Sequence, residues 1–600
     1  MKFWKIALLS TSLTLVSCDV RYPEDDGSLL KINSLEEFKD RILNRTNQTI
    51  EGYELTVDLD FGGETLNPNS VVKRFIFDGM NHTISNFKIL GSANAGLFGK
   101  AFNSTIKNIV FYNVQITGTS PGALASTVSN SKIENIVVSA NCKIGDGSEG
   151  FSGGIIGYAT EDSTITKCKN YAEVKGGNST GGIVGKIFNS GVADCENYGN
   201  VTGYGDRHVG GIAGFLEQRW DSWGESLPVN QNNNKNYGTI NGRDASRVGG
   251  IIGGYTRSKA TYTTYSQVCN FTNNENYGTV KGIDNVGGII GGCTDTQTAE
   301  IKVSYCNNKG TVTGNENIGG IVGFSVDKLN ITQSKNIYNN ERNNYVSGHY
   351  NVGGICGLGN HFDFCENAGL VKLDKKADAE DKDSYIHHKG QYGVGGICGN
   401  NFTSDSPNLK NCINSGDVQG YIVENQEYCE GTSIGGLVGI LDGGTIQYCE
   451  NTGTVNGNSC VGGLIGALIP SKEAKIISST FTGLIIGSNY NTGGLVGIIY
   501  AYKLDACKKV TISECTVDSD NIYGYGQRVS GLVGSSYIST EDSSYYGVSK
   551  IFDCTVKGTI HAITGQGAEV LGSNPVASNG TKYISILEDT LTLSINIVNN

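Results

Sequence analysis

Cysteines, histidines and a few spaced acids are the residues of this 600-residue chain that could do chemistry. Seventeen cysteines in an exported chain would ordinarily form disulfides or hold zinc. No Cys-x-x-Cys pair occurs, which argues against zinc, and no His-Glu-x-x-His occurs among the seven histidines. Cys168, Cys195, Cys306, Cys365, Cys412, Cys449, Cys515 and Cys554 recur at one equivalent place, where Asn234, Asn274 or Ser334 stands elsewhere. A slot that accepts Cys, Asn and Ser is not a framework of obligate bridges. The expectation is a column of small thiols packed inside, whose parallel side-chain vectors fit a disulfide dihedral poorly. His387 and His388 lie in a charged insertion that reads as a solvated loop. Asp58 and Asp60, two apart on a strand-like stretch, share one face and could serve general acid/base work or calcium. The plainer reading is a strand end entering a turn. No catalytic residue, metal ligand set or cofactor is assigned.

Aromatic residues offer binding chemistry instead. Trp220 and Trp223 lie in "FLEQRWDSWGESLP", and one repeat later "YTRSKATYTTYSQ" carries Tyr255, Tyr262 and Tyr265. Both segments follow the same glycine motif, so equal offsets put them on one side, about one turn apart. Together they would form an aromatic platform for sugar rings or a protein partner. The alternative is that these rings cover the loops' own small core. A second pair of insertions, around 371–393 and 421–432, should share a different edge.

The elements that must position such residues are written in a repeat. Paired glycines followed by Ile or Leu, one variable residue and Gly begin at Gly153, Gly181, Gly210, Gly249, Gly287, Gly319, Gly353, Gly395, Gly435, Gly462 and Gly493. The shortest spacings are 27 (435 to 462), 28 (153 to 181) and 29 (181 to 210) residues. The 39 and 38 residues between 210, 249 and 287 mark insertions. A second signature, Cys195-Glu196-Asn197-Tyr198-Gly199 and its relatives, precedes short β-rich segments. Short strands in a tandem repeat of this length predict a coil of parallel strands, one repeat per turn. Equivalent positions would then stack about 4.8 Å apart as ladders. Val, Ile and Leu would line the inside. Asn170, Asn197, Asn236, Asn276, Asn308, Asn367, Asn414 and Asn451 would bond rung to rung. The glycines would permit positive φ at corners and tight backbone approach. The composition agrees: 85 glycines against 7 prolines, with 17% charged residues. A net charge of −12 without basic clusters makes nucleic acid a poor partner.

The segments "GGIVG", "GGLVG" and "GLFG" resemble the GLUG repeat over roughly residues 75–560. "FIFDGMNHTISNFKI" (75–89) resembles the stretch that precedes such repeats. The resemblance implies an all-β fold, a right-handed parallel β-helix. It also implies kinship with bacterial surface adhesins and with the non-catalytic repeat region of immunoglobulin A peptidases.

The N-terminal "MKFWKIALLSTSLTLVSC" pairs Lys2 and Lys5 with an apolar run too short to span a bilayer, and so reads as a signal peptide. Its Leu15-Val16-Ser17-Cys18 ending resembles a bacterial lipobox. That implies cleavage before Cys18 and lipidation of this residue, which would anchor the chain to a membrane. The acids Glu24, Asp25 and Asp26 resemble an acidic signal for export to the cell surface. "NSLEEFKDRILN" carries a capping box at Ser34 and Glu37, with Leu35, Phe38, Ile42 and Leu43 on one face, and predicts a helix that covers the first turn. The expected organisation is a signal peptide at 1–17, a tether at 18–33, an N-terminal cap and first strands at 34–90, the repeat coil at 91–560 and a C-terminal cap at 561–600. The expected role is a lipid-anchored protein of the bacterial outer membrane or cell surface that binds a glycan or a host or cell-surface protein. A β-helix carbohydrate-active enzyme, a polysaccharide lyase or glycoside hydrolase, is the alternative.

Overall fold

One turn of the chain, residues 184–210, shows how the molecule is built. Five short strands follow one another: Val184–Phe188, Gly191–Ala193, Glu196–Asn197, Val201–Gly203 and His208–Gly210. Each pairs in parallel with its counterpart one turn later, for example Val184 with Ala213, Asn197 with Asn236 and Gly210 with Gly249. The computed structural model describes residues 29–44, 51–68, 71–148, 150–205, 207–219, 230–258, 269–295, 301–325, 329–374, 393–401, 408–421, 432–501, 509–525, 527–538, 549–562, 584–586 and 590–599. Within them the pattern makes a right-handed parallel β-helix. The strands that follow the glycine motif form one 15-stranded sheet, from Val71–Lys73 to Val533–Ile538, and a 55-stranded sheet wraps the rest.

The interior is apolar because each turn turns its small strands' alternate residues inward. In this turn Val184, Ile187, Val192, Cys195, Val201 and Val209 are all fully buried. Each such aliphatic side chain contributes about 1.5–3 kcal/mol on leaving water. A single turn cannot enclose them; stacking closes the core.

Glycines do both things expected of them, but at different places: Gly118 and Gly145 have positive φ, whereas the motif glycines serve close approach. None of the paired motif glycines has positive φ. They stand where backbones press together. A Cβ on Gly181 would lie 2.0 Å from the Val184 carbonyl oxygen, and one on Gly182 would lie 2.2 Å from the Gly211 carbonyl oxygen and 2.4 Å from Asn197 Cγ. The left-handed corner lies elsewhere and avoids glycine in fourteen successive turns. It is held by Asn108, Asn135, Lys167, Asp194, Asn233, Asn273, Tyr305, Gln333, Phe364, Asn411, Tyr448, Ser478, Glu514 and Asp553, with φ between 47° and 59°. Asparagine suits this conformation, and its amide also ties turns together: Asn135 donates to Asn108 Oδ1 at 2.8 Å and Asn233 to Asp194 Oδ1 at 2.9 Å.

The N-terminal helix forms as expected, as Leu35–Phe38 followed by a wider π turn over Lys39–Leu43. The Glu37 amide donates to Ser34 Oγ at 3.2 Å, and Glu37 Oε2 accepts from the Asn33 amide at 2.8 Å. Phe38 and Ile42 are fully buried, with Phe38 edge-on to Phe61 and Phe77. Ser34→Ala removes the cap and is expected to cost about 1 kcal/mol. Hydrogen exchange should show it as faster exchange in 35–43 with the distant turns unchanged. At the other end Thr592–Asn599 pairs in parallel with all of Thr555–Ala562.

Candidate functional site

The Asn-Tyr-Gly stretches organise the outer face. Asn197 points inward, donating through Nδ2 to Asn236 Oδ1 at 2.9 Å and to the Gly199 carbonyl at 2.8 Å. The same bond runs unbroken through Asn170, Asn197, Asn236, Asn276, Asn308, Asn336, Asn367, Asn414 and Asn451, at 2.7–2.9 Å. All nine are buried. Asn336 is a member the motif reading missed, because Ile337-Tyr338 replaces the trailing glycine. Phe481 occupies the next place, opposite Asn451.

Inward asparagines force the next residue outward. Tyr171, Tyr198, Tyr237 and Tyr277 therefore stack, with centroids 4.6, 4.6 and 4.7 Å apart and planes within 11° of parallel. The strand spacing imposes this near face-to-face arrangement. Lys309 caps the stack, its ammonium 4.5 Å from the Tyr277 centroid. Two residues before each ring, and outward like it, Lys169, Glu196, Lys235 and Glu275 alternate in sign, with Lys169–Glu196 at 3.0 Å and Lys235–Glu275 at 3.6 Å. The Tyr198 and Tyr277 hydroxyls donate to Glu196 and Glu275 at 2.8 and 2.9 Å. Burial and the Glu196 carboxylate push the Tyr198 phenol well up, so it stays neutral.

Where the tyrosine stack ends, rings continue at the left-handed corner of the same face. Tyr305, Phe364 and Tyr448 are 49%, 56% and 54% exposed, and Ile413 beside them is 41% exposed. In these two columns an outward ring stands in seven of nine successive turns from Tyr171 to Tyr448, with Tyr237 and Tyr277 half-buried and Gln333 and Asn411 in the other two turns.

The residues singled out for chemistry fare differently. Tyr255 is corrected from a surface ring to a core one. Its strand, Ile252–Ser258, continues the fifteen-stranded sheet, and Tyr255 is fully buried, edge-on to Phe271 with its hydroxyl donating to Gln218 Oε1 at 3.1 Å. Trp220, Trp223, Tyr262, Tyr265 and Cys18 lie outside the described residues. Asp58 accepts from the Thr83 amide and His82, and Asp60 from the Gly62 amide and Asn86. These bonds hold both carboxyls below the usual range. Both are ionised and tied to neighbouring groups, whereas an acid/base pair needs one group raised.

All fourteen described cysteines are buried free thiols. The slot that eight of them share supplies a small acceptor for the backbone N–H of the preceding turn. The Cys168 amide donates to Cys195 Sγ at 3.4 Å, the Cys195 amide to Asn234 Oδ1 at 3.1 Å and the Cys306 amide to Ser334 Oγ at 3.2 Å. Thiol, amide and hydroxyl all serve. Burial pushes Cys306 and Cys398 up to about 12, which keeps them protonated and unreactive. Among the described residues no His, Cys, Asp or Glu group could hold a metal ion.

One carboxylate pair emerges that the sequence did not suggest. Asp284 and Glu316 are in register on adjacent turns. Glu316 is exposed at the start of its strand; partial loss of hydration, then the Asp284 charge, shifts its carboxyl upward from the ordinary range. The raised value means folding disfavours the ionised form. That penalty is absent at low pH and is present once pH rises through the folded value. Because water screens an exposed carboxylate, Glu316→Gln should raise the melting temperature at pH 7 only slightly, with the gain vanishing by about pH 4.

These ladders and sheets define a class of protein, the right-handed parallel β-helix built from glycine-motif turns. The GLUG motif family model matches residues 430–456, the turn that contains Gly435 and Cys449. The matched turn carries the GLUG motif, and the same glycine pattern recurs in the turns on either side. No curated protein matches it. A solved structure of a candidate immunoglobulin A1 protease from Bacteroides ovatus is similar at 16% identity, covering 65% of this chain and 85% of that one, with a TM-score of 0.30. A likeness of that size does not bear on activity.

Proposed function

We propose that this protein is a binding scaffold: a lipid-anchored β-helix, held through Cys18 at the bacterial outer membrane or cell surface, that engages a glycan or a host or cell-surface protein as an adhesin. The observation that carries this reading is the series of outward rings in seven of nine successive turns, from Tyr171 to Tyr448. Soluble proteins rarely expose aligned apolar groups without use. Rings held on stacked strands lose little freedom on binding, which favours affinity. The test is a binding screen of the chain lacking residues 1–18 against glycans and host matrix proteins, with reducing ends and unsaturated products monitored together. Saturable binding without turnover is the expected result, and absence of any binding removes the reading. For the anchor, Cys18→Ser should shift the protein from the membrane to the soluble fraction.

The alternative, a carbohydrate-active enzyme, draws on the Asp284–Glu316 pair, since two carboxylates brought together are the equipment of glycoside chemistry. Turnover abolished by Glu316→Gln would establish it.

A further inference from the structure

The left-handed corner carries an ordered alternation. In five consecutive turns it holds Tyr305, Gln333, Phe364, Asn411 and Tyr448. Ring, amide, ring, amide, ring follow one another along the axis. The rings lie two turns apart, about 9.6 Å, twice the strand spacing. This differs from the tyrosine stack, where rings on adjacent turns cover each other's faces at 4.6 Å. At two-turn spacing no ring reaches the next, so the faces are not consumed by self-stacking. Each ring remains half exposed in spite of sitting in a backbone conformation that disfavours a bulky side chain. Nothing in the coil needs a ring there: the corner holds Asn at Asn108, Asn135, Asn233, Asn273 and Asn411.

We infer that Tyr305, Phe364 and Tyr448 form a linear subsite for a neutral, extended β-1,4-linked hexopyranose chain lying parallel to the coil axis. The inference rests on the binding-scaffold reading and names its ligand class. In such a chain each sugar advances by about one turn of the coil, and alternate sugars present the same apolar face. Every second sugar stacks on a ring. The sugars between meet Gln333 and Asn411, whose amides hydrogen-bond hydroxyls. Asn411 Nδ2 already bonds Asp363 Oδ1 at 3.0 Å, which orients its carbonyl. Glu366 is paired with Lys335 and Asp363 lies in register with Lys410, so charge around the rings is close to balanced, which suits a neutral chain.

The test is depletion of the full chain lacking residues 1–18 from solution by microcrystalline cellulose and by chitin, with granular starch as the α-linked control. Binding to a β-linked polymer but not to starch is expected, with little dependence on salt. Tyr305→Asn, Phe364→Asn and Tyr448→Asn should each raise Kd about tenfold, and the triple variant more than a hundredfold. Asparagine is chosen because the corner tolerates it, so the variants keep the wild-type melting temperature. Phe364→Trp should retain binding. The inference is overturned if the triple variant binds like wild type, if starch is preferred, or if neither β-linked polymer is bound. If the broad screen finds another ligand that the triple variant still binds, this subsite falls and the scaffold reading stands. If a protein ligand is lost in the triple variant, the face is a protein site and the glycan assignment is wrong. If the chain binds nothing in either experiment, both fall.

Discussion

Asn308→Ala is expected to destabilise the turns around it by about 4 kcal/mol, the largest effect of any single side-chain truncation proposed for this molecule. Asn308 donates to Asn336 Oδ1 and to the Gly310 carbonyl, both at 2.9 Å, accepts from Asn276 Nδ2 at 2.9 Å, and accepts from the Gly310 amide at 3.3 Å. Alanine deletes all four bonds and leaves partners on three residues dry, since no water reaches a fully buried position. Each orphaned buried group costs about 1–3 kcal/mol. The damage should be regional, because a solenoid's stability is a sum of turns and of their interfaces. Hydrogen exchange is expected to show protection lost between about Asn276 and Asn336, while turns near Leu97 and Ile485 keep theirs. An unchanged exchange pattern would mean that the amide ladder carries no stability.

Gly211→Ala should be of similar size for the opposite reason, an added atom. A Cβ there would lie 2.0 Å from the Gly250 carbonyl oxygen and 2.6 Å from Asn236 Cγ. Neither obstacle can give way cheaply: the carbonyl belongs to the next turn's backbone, and Asn236 is pinned by its own ladder bonds. Overpacking ordinarily costs about 1–3 kcal/mol and more when backbone must move. Gly191→Ala is the matched control. Its nearest atom would be 3.4 Å away, an ordinary contact, so it should fall within about 0.5 kcal/mol of wild type. Urea unfolding of the two variants side by side decides whether close approach explains the glycine motif.

Much of this architecture was legible because a coil converts sequence spacing into vertical alignment. The asparagine ladder followed from repeated Cys-Glu-Asn, and the packed thiols from a slot that accepts Cys, Asn and Ser. What escaped has physical causes. Close approach and positive φ both select glycine, so the motif glycines could not reveal which they serve. The left-handed corner is filled by residues as unlike as Lys167, Asp194 and Phe364, and no residue type marks it. Tyr255 was placed in an exposed insertion because the end of a strand is invisible where strand and insertion share polar and aromatic residues. The tyrosine stack carried a usable signal. If Asn197 faces inward, Tyr198 faces outward, and equal offsets must bring four rings together.

The column of alternating charge has a consequence for how such a repetitive chain finds its own partner turns. Each turn presents nearly the same ladders, so a turn that skipped its neighbour and docked on the next but one would still match apolar to apolar and amide to amide. The charges distinguish the two arrangements. Correct stacking places Lys169 against Glu196 and Lys235 against Glu275. Omitting one turn would set Lys169 against Lys235 and Glu196 against Glu275, and like charges directly opposite on adjacent strands are destabilising. The column acts as a parity check, a two-turn code laid over a one-turn repeat, that penalises the loss of a single turn during assembly.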